Sequence, residues 1–456
     1  MTVRRGDLPG KFKGEVVEPE DATYDDARRV WNARFDRRPA LIVRPRTVDA
    51  AATAIRFGRD RDLQIAIRAG GHSAAGHSTC DGGLVIDLSL MRGVTVDPAR
   101  RTARANGGAL LGELDVAAQA YGLVCPVGVI GHTGVAGLTL GGGIGRLQRH
   151  FGLTIDNLRA VELITADGRR VRASETEEPE LFWGIRGAGA NFGLVTALEF
   201  GLHEFGPQLH RGLAIYPASQ LLAVWRRFRY YVDVAPDAVS FILGIGRAEP
   251  ASDYPDEVAG QPIVLVAYNH SGDAANVERD VASLVAGPGV VTTTAGSQPY
   301  LEVQVANDLA MGWGHRSVIK GGQANDLRPE MLDAFVEHAA RAPGGASFSI
   351  TAQGGAIARL PDHAMAFTGR GAAIDVSADA DWEDPADDAV NLAWVDEAMA
   401  IAAPDLVVGR YINENADDTP DDMRASYGDA KLERLRALKR AWDPDNVFRL
   451  NPNIAP

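Results

Sequence analysis

Two cysteines in 456 residues, Cys80 and Cys125, cannot staple a fold. The chain must rely on a hydrophobic core, and 46 % apolar residues over this length suffice for two domains of a soluble globular protein. Long apolar runs are missing too: none approaches the roughly 18 residues a membrane-spanning helix needs. Positive charge is in deficit. Lys and Arg number 46 against 60 Asp and Glu, and the net charge of −14 argues against nucleic acid or an acidic membrane as partner. The ten histidines are scattered, with no H-E-x-x-H or C-x-x-C, so no metal site is expected. No G-x-S-x-G elbow, internal repeat or low-complexity segment occurs. The opening Met1-Thr-Val-Arg-Arg-Gly-Asp-Leu-Pro-Gly10 lacks the apolar core of a signal peptide, and a reducing cytoplasm is the expected compartment.

What the chain does have is glycine, and its placement is uneven. Arg68-Ala-Gly-Gly-His-Ser-Ala-Ala-Gly-His-Ser78 follows a strand-like Leu63 to Ile67 and precedes a second apolar strand, Gly83 to Leu88. Gly70 and Gly71 permit positive φ and leave no Cβ in the way, so the turn that presents His72 can cradle a ligand or an anion. Gly131 to Gly145 holds seven glycines in fifteen residues, a density that suggests backbone closing on a large flat or phosphorylated ligand. Neither this run nor Gly187-Ala-Gly-Ala-Asn-Phe192 keeps the spacing of a G-x-G-x-x-G dinucleotide fingerprint.

Taken in order, the pattern predicts a short helix from Asp25 to Arg34 and a strand from Pro39 to Arg44. A helix from Val48 to Arg59 follows, then strands at 94–96 and 102–104 and a helix from Leu110 to Tyr121. A hairpin is expected from Leu158 through Asp167-Gly168 to Arg172, and a strand from Leu194 to Phe200. The character changes near residue 205. Strands at 241–245 and 263–268 then mix with helices at 219–232, 274–284 and 328–341, an α+β arrangement of antiparallel sheet flanked by helices. Asp379 to Asp388 reads as a solvated acidic loop, and the chain becomes helical again after Arg424.

Four ordered motifs carry a resemblance. Arg68-x-Gly-Gly-His-Ser73, the 131–145 run, Gly152-Leu-Thr-Ile-Asp-Asn157 and Gly187-Ala-Gly-Ala-Asn-Phe-Gly193 look like those of the berberine-bridge-enzyme-like flavin oxidases, of the vanillyl-alcohol oxidase/p-cresol methylhydroxylase (PCMH) superfamily. The closing Asp443-Pro-Asp-Asn-Val-Phe-Arg-Leu-Asn-Pro-Asn-Ile454 is similar to the family's C-terminal signature, so the resemblance runs from about Pro39 to the end. It implies a PCMH-type FAD-binding domain in two parts, residues 1–205 and 415–456, and a substrate domain at 206–414. It also implies an FAD-linked oxidoreductase that moves hydride from an alcohol, sugar, amine or secondary-metabolite donor to flavin N5, with dioxygen reoxidising the flavin to give hydrogen peroxide. A dehydrogenase of the same fold using another acceptor, and a non-catalytic flavin-binding protein, are the alternatives.

Carried over residue by residue, the resemblance makes His72 the covalent ligand of the flavin 8α-methyl group. It places Arg68, Gly70, Gly71, Ser73 and His77 in the cofactor site; His77 alternatively caps the next turn. From the second run it adds Gly131, Thr133, Gly134, Gly137, Gly141, Gly142 and Gly143. Asn191, Gly193, Val195, Tyr411, Asn413 and Asn451 complete the set. The family's second, cysteinyl tether falls on Ile130, with Cys125 five residues too early, so a single tether is expected and Cys80 and Cys125 are read as structural. Thr133 falls where the family controls oxygen access. Its valine-like size implies an oxidase, while its hydroxyl offers flavin N5 a hydrogen bond. Tyr411-Ile-Asn-Glu414 resembles the segment beside the flavin ring, with Glu414 in place of an aromatic residue. Tyr411 and Glu414 are the catalytic candidates. Glu414 is either a base of raised pKa or an exposed carboxylate in the polar stretch 415–418. Thr351 and Gln353 are expected to orient substrate, and Tyr300, Trp313 and His315 to shape the pocket, with Trp313 alternatively in the core. The remaining partners are a small-molecule substrate and O2.

Overall fold

The computed structural model describes residues 3–10, 12–248, 254–415 and 419–456. Its first sheet is built from β1 (Gly14–Val17), β2 (Leu41–Pro45), β3 (Ile65–Arg68) and β4 (Leu84–Asp87) in the order β1-β2-β4-β3. β2, β4 and β3 run parallel, and β1 is antiparallel. α1 (Tyr24–Arg28) precedes β2, and α2 (Val48–Arg59) links β2 to β3. Thr47 caps α2 by accepting from the Ala50 amide at 3.2 Å. The helix buries Ala51, Ala54, Ile55 and Phe57 against Leu41, Val43, Leu84 and Ile86.

The second sheet is antiparallel, in the order β5-β6-β10-β8-β9. It comprises β5 (Val94–Asp97), β6 (Thr102–Asn106), β8 (Leu158–Ile164), β9 (Arg170–Ser174) and β10 (Leu194–Gly201). Between β6 and β8 lie α3 (Leu111–Gln119), β7 (Leu123–Val124), α4 (Val135–Gly141) and α5 (Gln148–Phe151), and α6 (Pro179–Ile185) precedes β10. β11 (His203–Glu204) pairs with β7.

The third sheet has eight antiparallel strands in the order β15-β12-β14-β13-β17-β18-β16-β19. They are β12 (Gln208–Pro217), β13 (Val239–Arg247), β14 (Pro262–His270), β15 (Thr292–Pro299), β16 (Arg316–Ala324), β17 (Ala346–Ala352), β18 (Ile374–Trp382) and β19 (Leu406–Val407). Interspersed are α7 (Leu221–Val234), α8 (Val277–Val285), α9 (Tyr300–Val305), α10 (Pro329–Ala339), α11 (Ala356–Arg359) and α12 (Asp388–Ala402). Strand periodicity decides what each face does. Phe241, Leu243, Ile245, Phe348, Ile350, Val376 and Ala378 point into one core with Trp225, Phe228, Leu332, Phe335 and Trp394 of α7, α10 and α12. With the helices on that side, the opposite face is free to wall a cavity. α13 (Pro420–Trp442) returns the chain to α6, breaking at Gly428, where φ is 69°.

Two expectations change. The helix expected over Asp25–Arg34 stops at Arg28, because Trp31 stacks on His72 and Asn32 donates to the carbonyls of Ala74 and Ser317. Asp379 to Trp382 is not a solvated loop: it is the end of β18, inside the sheet. Within the glycine run, Val135 to Gly141 coil into α4. Among the described residues, no helix is long and apolar enough to cross a membrane.

Candidate functional site

β3 and β4 end side by side at Arg68 and Asp87. Their buried side chains lie 3.8 Å apart, and Arg68 also donates to the carbonyls of Ala27 (2.6 Å) and Ser78 (3.3 Å). Arg68 thereby ties both ends of the glycine–histidine turn to the sheet. A Cβ on Gly70 would stand 2.2 Å from the Gly134 nitrogen, and one on Gly134 would stand 2.4 Å from the Gly70 nitrogen. The two glycine motifs are therefore pressed backbone to backbone, a contact no other residue permits.

Between these motifs and the free face of the third sheet lies a cavity of about 1090 Å³, at the upper end of the range for a single small ligand. Of the residues expected in the cofactor site, Gly70, Gly71, His72, Ser73, His77, Thr133, Gly134, Gly137, Val195, Tyr411, Asn413 and Asn451 line it, and so does Glu414. Gly137 faces open space: nothing lies within 4 Å of where its Cβ would be.

Arg68, Gly131, Gly141, Gly142, Gly143, Asn191 and Gly193 do not line the cavity. The Gly131 amide donates to Asp308 Oδ1 at 2.7 Å. A Cβ on Gly141 would run into Asn413, and one on Gly142 into Phe367, with Tyr411 close behind. The Gly143 amide donates to the Tyr411 hydroxyl at 3.1 Å. Asn191 fastens the C-terminal tail, donating to the Pro452 carbonyl at 3.0 Å and accepting from the Ile454 amide at 2.9 Å. Gly193 makes room for Leu163 and Ile164. These residues shape the walls from behind.

His72 is held on three sides at the turn. Its ring stacks on Trp31 with centroids 5.0 Å apart, and Trp313 meets it edge-on. His72 Nε2 lies 2.6 Å from His132 Nδ1, and His132 Nε2 lies 3.3 Å from the Asp308 carbonyl oxygen. Burial, and then His132, push the His72 pKa down to about 3, so the ring is neutral at physiological pH. His77 is likewise neutral, its pKa lowered to about 4 by burial and then by Arg37.

Across the cavity, the Tyr411 hydroxyl also accepts from Asn413 Nδ2 at 2.9 Å, and Asn413 Nδ2 reaches the Leu138 carbonyl at 3.0 Å. Burial, and then Glu414, push the Tyr411 phenol up to about 12. Glu414 is half-buried, with Oε2 shielded and without a hydrogen bond. Burial, then Asp375 and Asp379, raise its pKa well above the usual carboxylate range. Residues 416–418 of the neighbouring polar stretch lie outside those described.

Other expected pocket residues separate. Thr351 lines the cavity, but Gln353 does not: its backbone carbonyl accepts from buried Arg149. Tyr300 is buried away from the cavity and donates to Asp115 Oδ1 at 3.2 Å. Trp313 is 47 % exposed, so it belongs to neither core nor lining, and His315 also lies outside the lining. Cys125 and Cys80 are buried free thiols and do not line the cavity; Ile130 does. Sequence reasoning passed over His132, although it lies in the quoted glycine run. It also passed over Asp379 and Asp381, whose signal was the alternation of β18.

Fold and site together define an FAD-linked oxidoreductase. Residues 39–174 match the FAD binding domain family and residues 410–455 the berberine and berberine-like family. The chain is 31 % identical to (R)-6-hydroxynicotine oxidase of Paenarthrobacter nicotinovorans over 98 % of both chains. It is 28 % identical to aclacinomycin-N/aclacinomycin-A oxidase of Streptomyces galilaeus, over 96 % of this chain and 89 % of that one. Among solved structures, 6-hydroxy-D-nicotine oxidase from Arthrobacter nicotinovorans superposes with a TM-score of 0.85 at 29 % identity, covering 98 % of this chain and 99 % of that one. BBE-like 1 of Physcomitrella patens shares the fold with a TM-score of 0.88 at 24 % identity, over 99 % and 98 %. The chain belongs to the berberine-bridge-enzyme-like family of FAD-linked oxidases.

Proposed function

We propose that this chain carries its FAD covalently on His72 and oxidises a small-molecule alcohol, sugar, amine or secondary metabolite at the expense of dioxygen. The observation that carries the reading is a neutral, aromatic-clamped His72 opening into the cavity opposite Tyr411, Asn413 and Glu414. His132 Nε2 faces a carbonyl, so its proton belongs there. His132 Nδ1 then accepts from His72 Nε2–H, which leaves the His72 lone pair on Nδ1, the form able to bond a flavin carbon. Bound FAD would supply the electron sink, taking hydride from the donor carbon and passing two electrons to O2 as hydrogen peroxide.

The chain supplies placement and proton control. Tyr411 is protonated at rest, and its oxygen is fixed by the amides of Gly143 and Ile144 and by Asn413. Glu414 takes the donor proton. Its raised pKa favours the protonated carboxyl, so this role makes turnover rise with pH, and Glu414→Gln removes that rise. Thr133 lines the cavity beside Gly134 with a side chain small enough to leave room for dioxygen. The 206–414 segment, which contains the eight-stranded sheet, is the substrate-binding part of this reading.

The test is acid denaturation and a denaturing gel read for flavin fluorescence, with His72→Ala alongside and peroxide detection on a donor panel. A fluorescent wild-type band that vanishes in the variant is the expected result. Free flavin released from the wild type by acid sinks the tether.

A further inference from the structure

β18 reads Ile374-Asp-Val-Ser-Ala-Asp-Ala-Asp-Trp382. Its even-numbered residues enter the core under the helices. The alternation puts Asp375, Ser377, Asp379 and Asp381 on the other face, with about 7 Å between Asp379 and Asp381 and about 13 Å between Asp375 and Asp379. Asp379 and Asp381 line the cavity. Glu414 lies over the same wall, its Oε2 3.4 Å from where a Cβ on Gly321 would stand.

The groups around these carboxylates do not neutralise them. β17 contributes Ser347, whose hydroxyl donates to Asp379 at 3.3 Å, with Ser349 and Thr351 beside it. On β16, Arg316 and Lys320 face the helical side, where they pair with Asp388 and Asp396 of α12. At the Trp382 end, the Arg34 guanidinium donates to the Ser317 carbonyl at 3.0 Å, and His315 and the Ser317 hydroxyl act on Asp381. Tyr411, whose phenol Glu414 helps push up, is a further titratable neighbour among the described residues. Asp375 is only 4 % exposed, and its Oδ2 has no partner; neither does the shielded Glu414 Oε2. Among the described residues no Lys or Arg pairs with Asp379, Asp381 or Glu414: the first two have only hydroxyl donors and Glu414 Oε2 has none, and a buried acceptor without one is costly.

We propose that this wall is the subsite for a cationic donor, with the ammonium group of an amine substrate seated among Asp379, Asp381 and Glu414. The proposal rests on reading the cavity as the donor chamber of the oxidase. An alcohol or sugar would bring acceptors as well as donors to a wall already rich in acceptors. A cation meets only the need that is there. Burial pushes Asp375 up to about 7, burial and then Asp381 push Asp379 up to about 7, and burial, then Asp375 and Asp379, raise Glu414 well above its ordinary range, so without a ligand the wall is partly protonated. Cation binding then releases protons and tightens as pH rises.

The experiment uses the FAD-loaded enzyme and two probes of one shape, choline and 3,3-dimethylbutan-1-ol. Only the first carries charge, and that charge does not titrate. Binding is followed by flavin difference absorbance and by calorimetry in buffers of different ionisation enthalpy, at pH 6, 7 and 8. The expected result is choline binding that tightens about tenfold from pH 6 to 8 with proton release, and a neutral probe that binds weakly without pH dependence. Asp379→Asn and Asp381→Asn should each weaken choline about tenfold and leave the alcohol unchanged. Equal, pH-independent binding of the two probes by wild-type enzyme overturns the proposal, and this arm does not depend on the variants folding. Anaerobic flavin bleaching by a panel of alcohols, sugars and amines tests the oxidase reading separately. Neutral donors that bleach normally while choline fails to bind discard the cationic subsite alone.

Discussion

Lys439→Met offers a sharp test of how the C-terminal signature works. Lys439 and Asp443 are both fully buried, with their charged atoms 2.7 Å apart. The ammonium spends its three donors on Asp443 Oδ2, the Asn191 carbonyl (2.7 Å) and the Phe448 carbonyl (3.0 Å). Asp443 in turn accepts from the amides of Val447 and Phe448, each at 2.9 Å. Methionine keeps the length of the side chain but leaves a buried carboxylate without its cation and the Asn191 carbonyl without its donor, while the Phe448 carbonyl keeps Asn451, a loss of about 3–5 kcal/mol. With an unfolding entropy of roughly 2.1 cal/mol/K per residue, the 456-residue chain should melt about 4 °C lower. Thermal unfolding of the FAD-loaded protein reads this directly. In the Lys439→Met/Asp443→Asn double variant the carboxylate is gone, so the losses should be sub-additive by about 2 kcal/mol. A single variant within about 0.5 kcal/mol of wild type, or strictly additive losses, would refute the argument. Because Phe448, Leu450, Asn451 and Pro452 line the cavity, FAD retention should fall along with stability.

Gly134→Ala should prevent stable FAD loading, since the new Cβ meets the Gly70 nitrogen at 2.4 Å; normal flavin content after purification would show that the two turns can part. Asp115 is buried and pushed up to about 7 from its usual 3.8, chiefly by burial, with the hydrogen bonds from Gln304 and Tyr300 acting the other way. The folded chain thus holds a proton that the unfolded chain releases, and stability falls as pH rises between about 4 and 7. Asp115→Asn should flatten that fall, by on the order of 4 kcal/mol at pH 8, in urea unfolding at pH 5 and pH 8; an unchanged slope counts against it.

The residues that announce themselves in the sequence are those whose backbone demands are unusual. The paired glycines and the His72 turn were legible because few other residues can stand there, and the strands and helices flanking them because their apolar periods are regular. The reason for the glycines was less legible. Gly70 and Gly134 are small for each other, Gly141 for Asn413, and Gly142 for Phe367 and Tyr411, so contacts between distant segments had to be seen. The acidic stretch misled because composition at 379–388 resembles a solvated loop, whereas the alternation beginning at Ile374 marks a strand with one polar face. Gln353 was expected to orient substrate from a strand facing the cleft, but the strand ends at Ala352 and the Gln353 carbonyl turns to Arg149. Tyr300 was expected to shape the pocket, and its hydroxyl is drawn instead to Asp115, far away in the chain. His132 was hidden because its partner stands 60 residues earlier.

The grip of Tyr411 and Asn413 on the 138–144 backbone also couples two distant stretches of chain. The segment that follows β19 and the glycine run are stapled together directly at the cavity, through Gly143, Ile144 and Leu138. A shift of either stretch is therefore passed to the other, so a change that loosens one loosens both sides of the cavity wall at once.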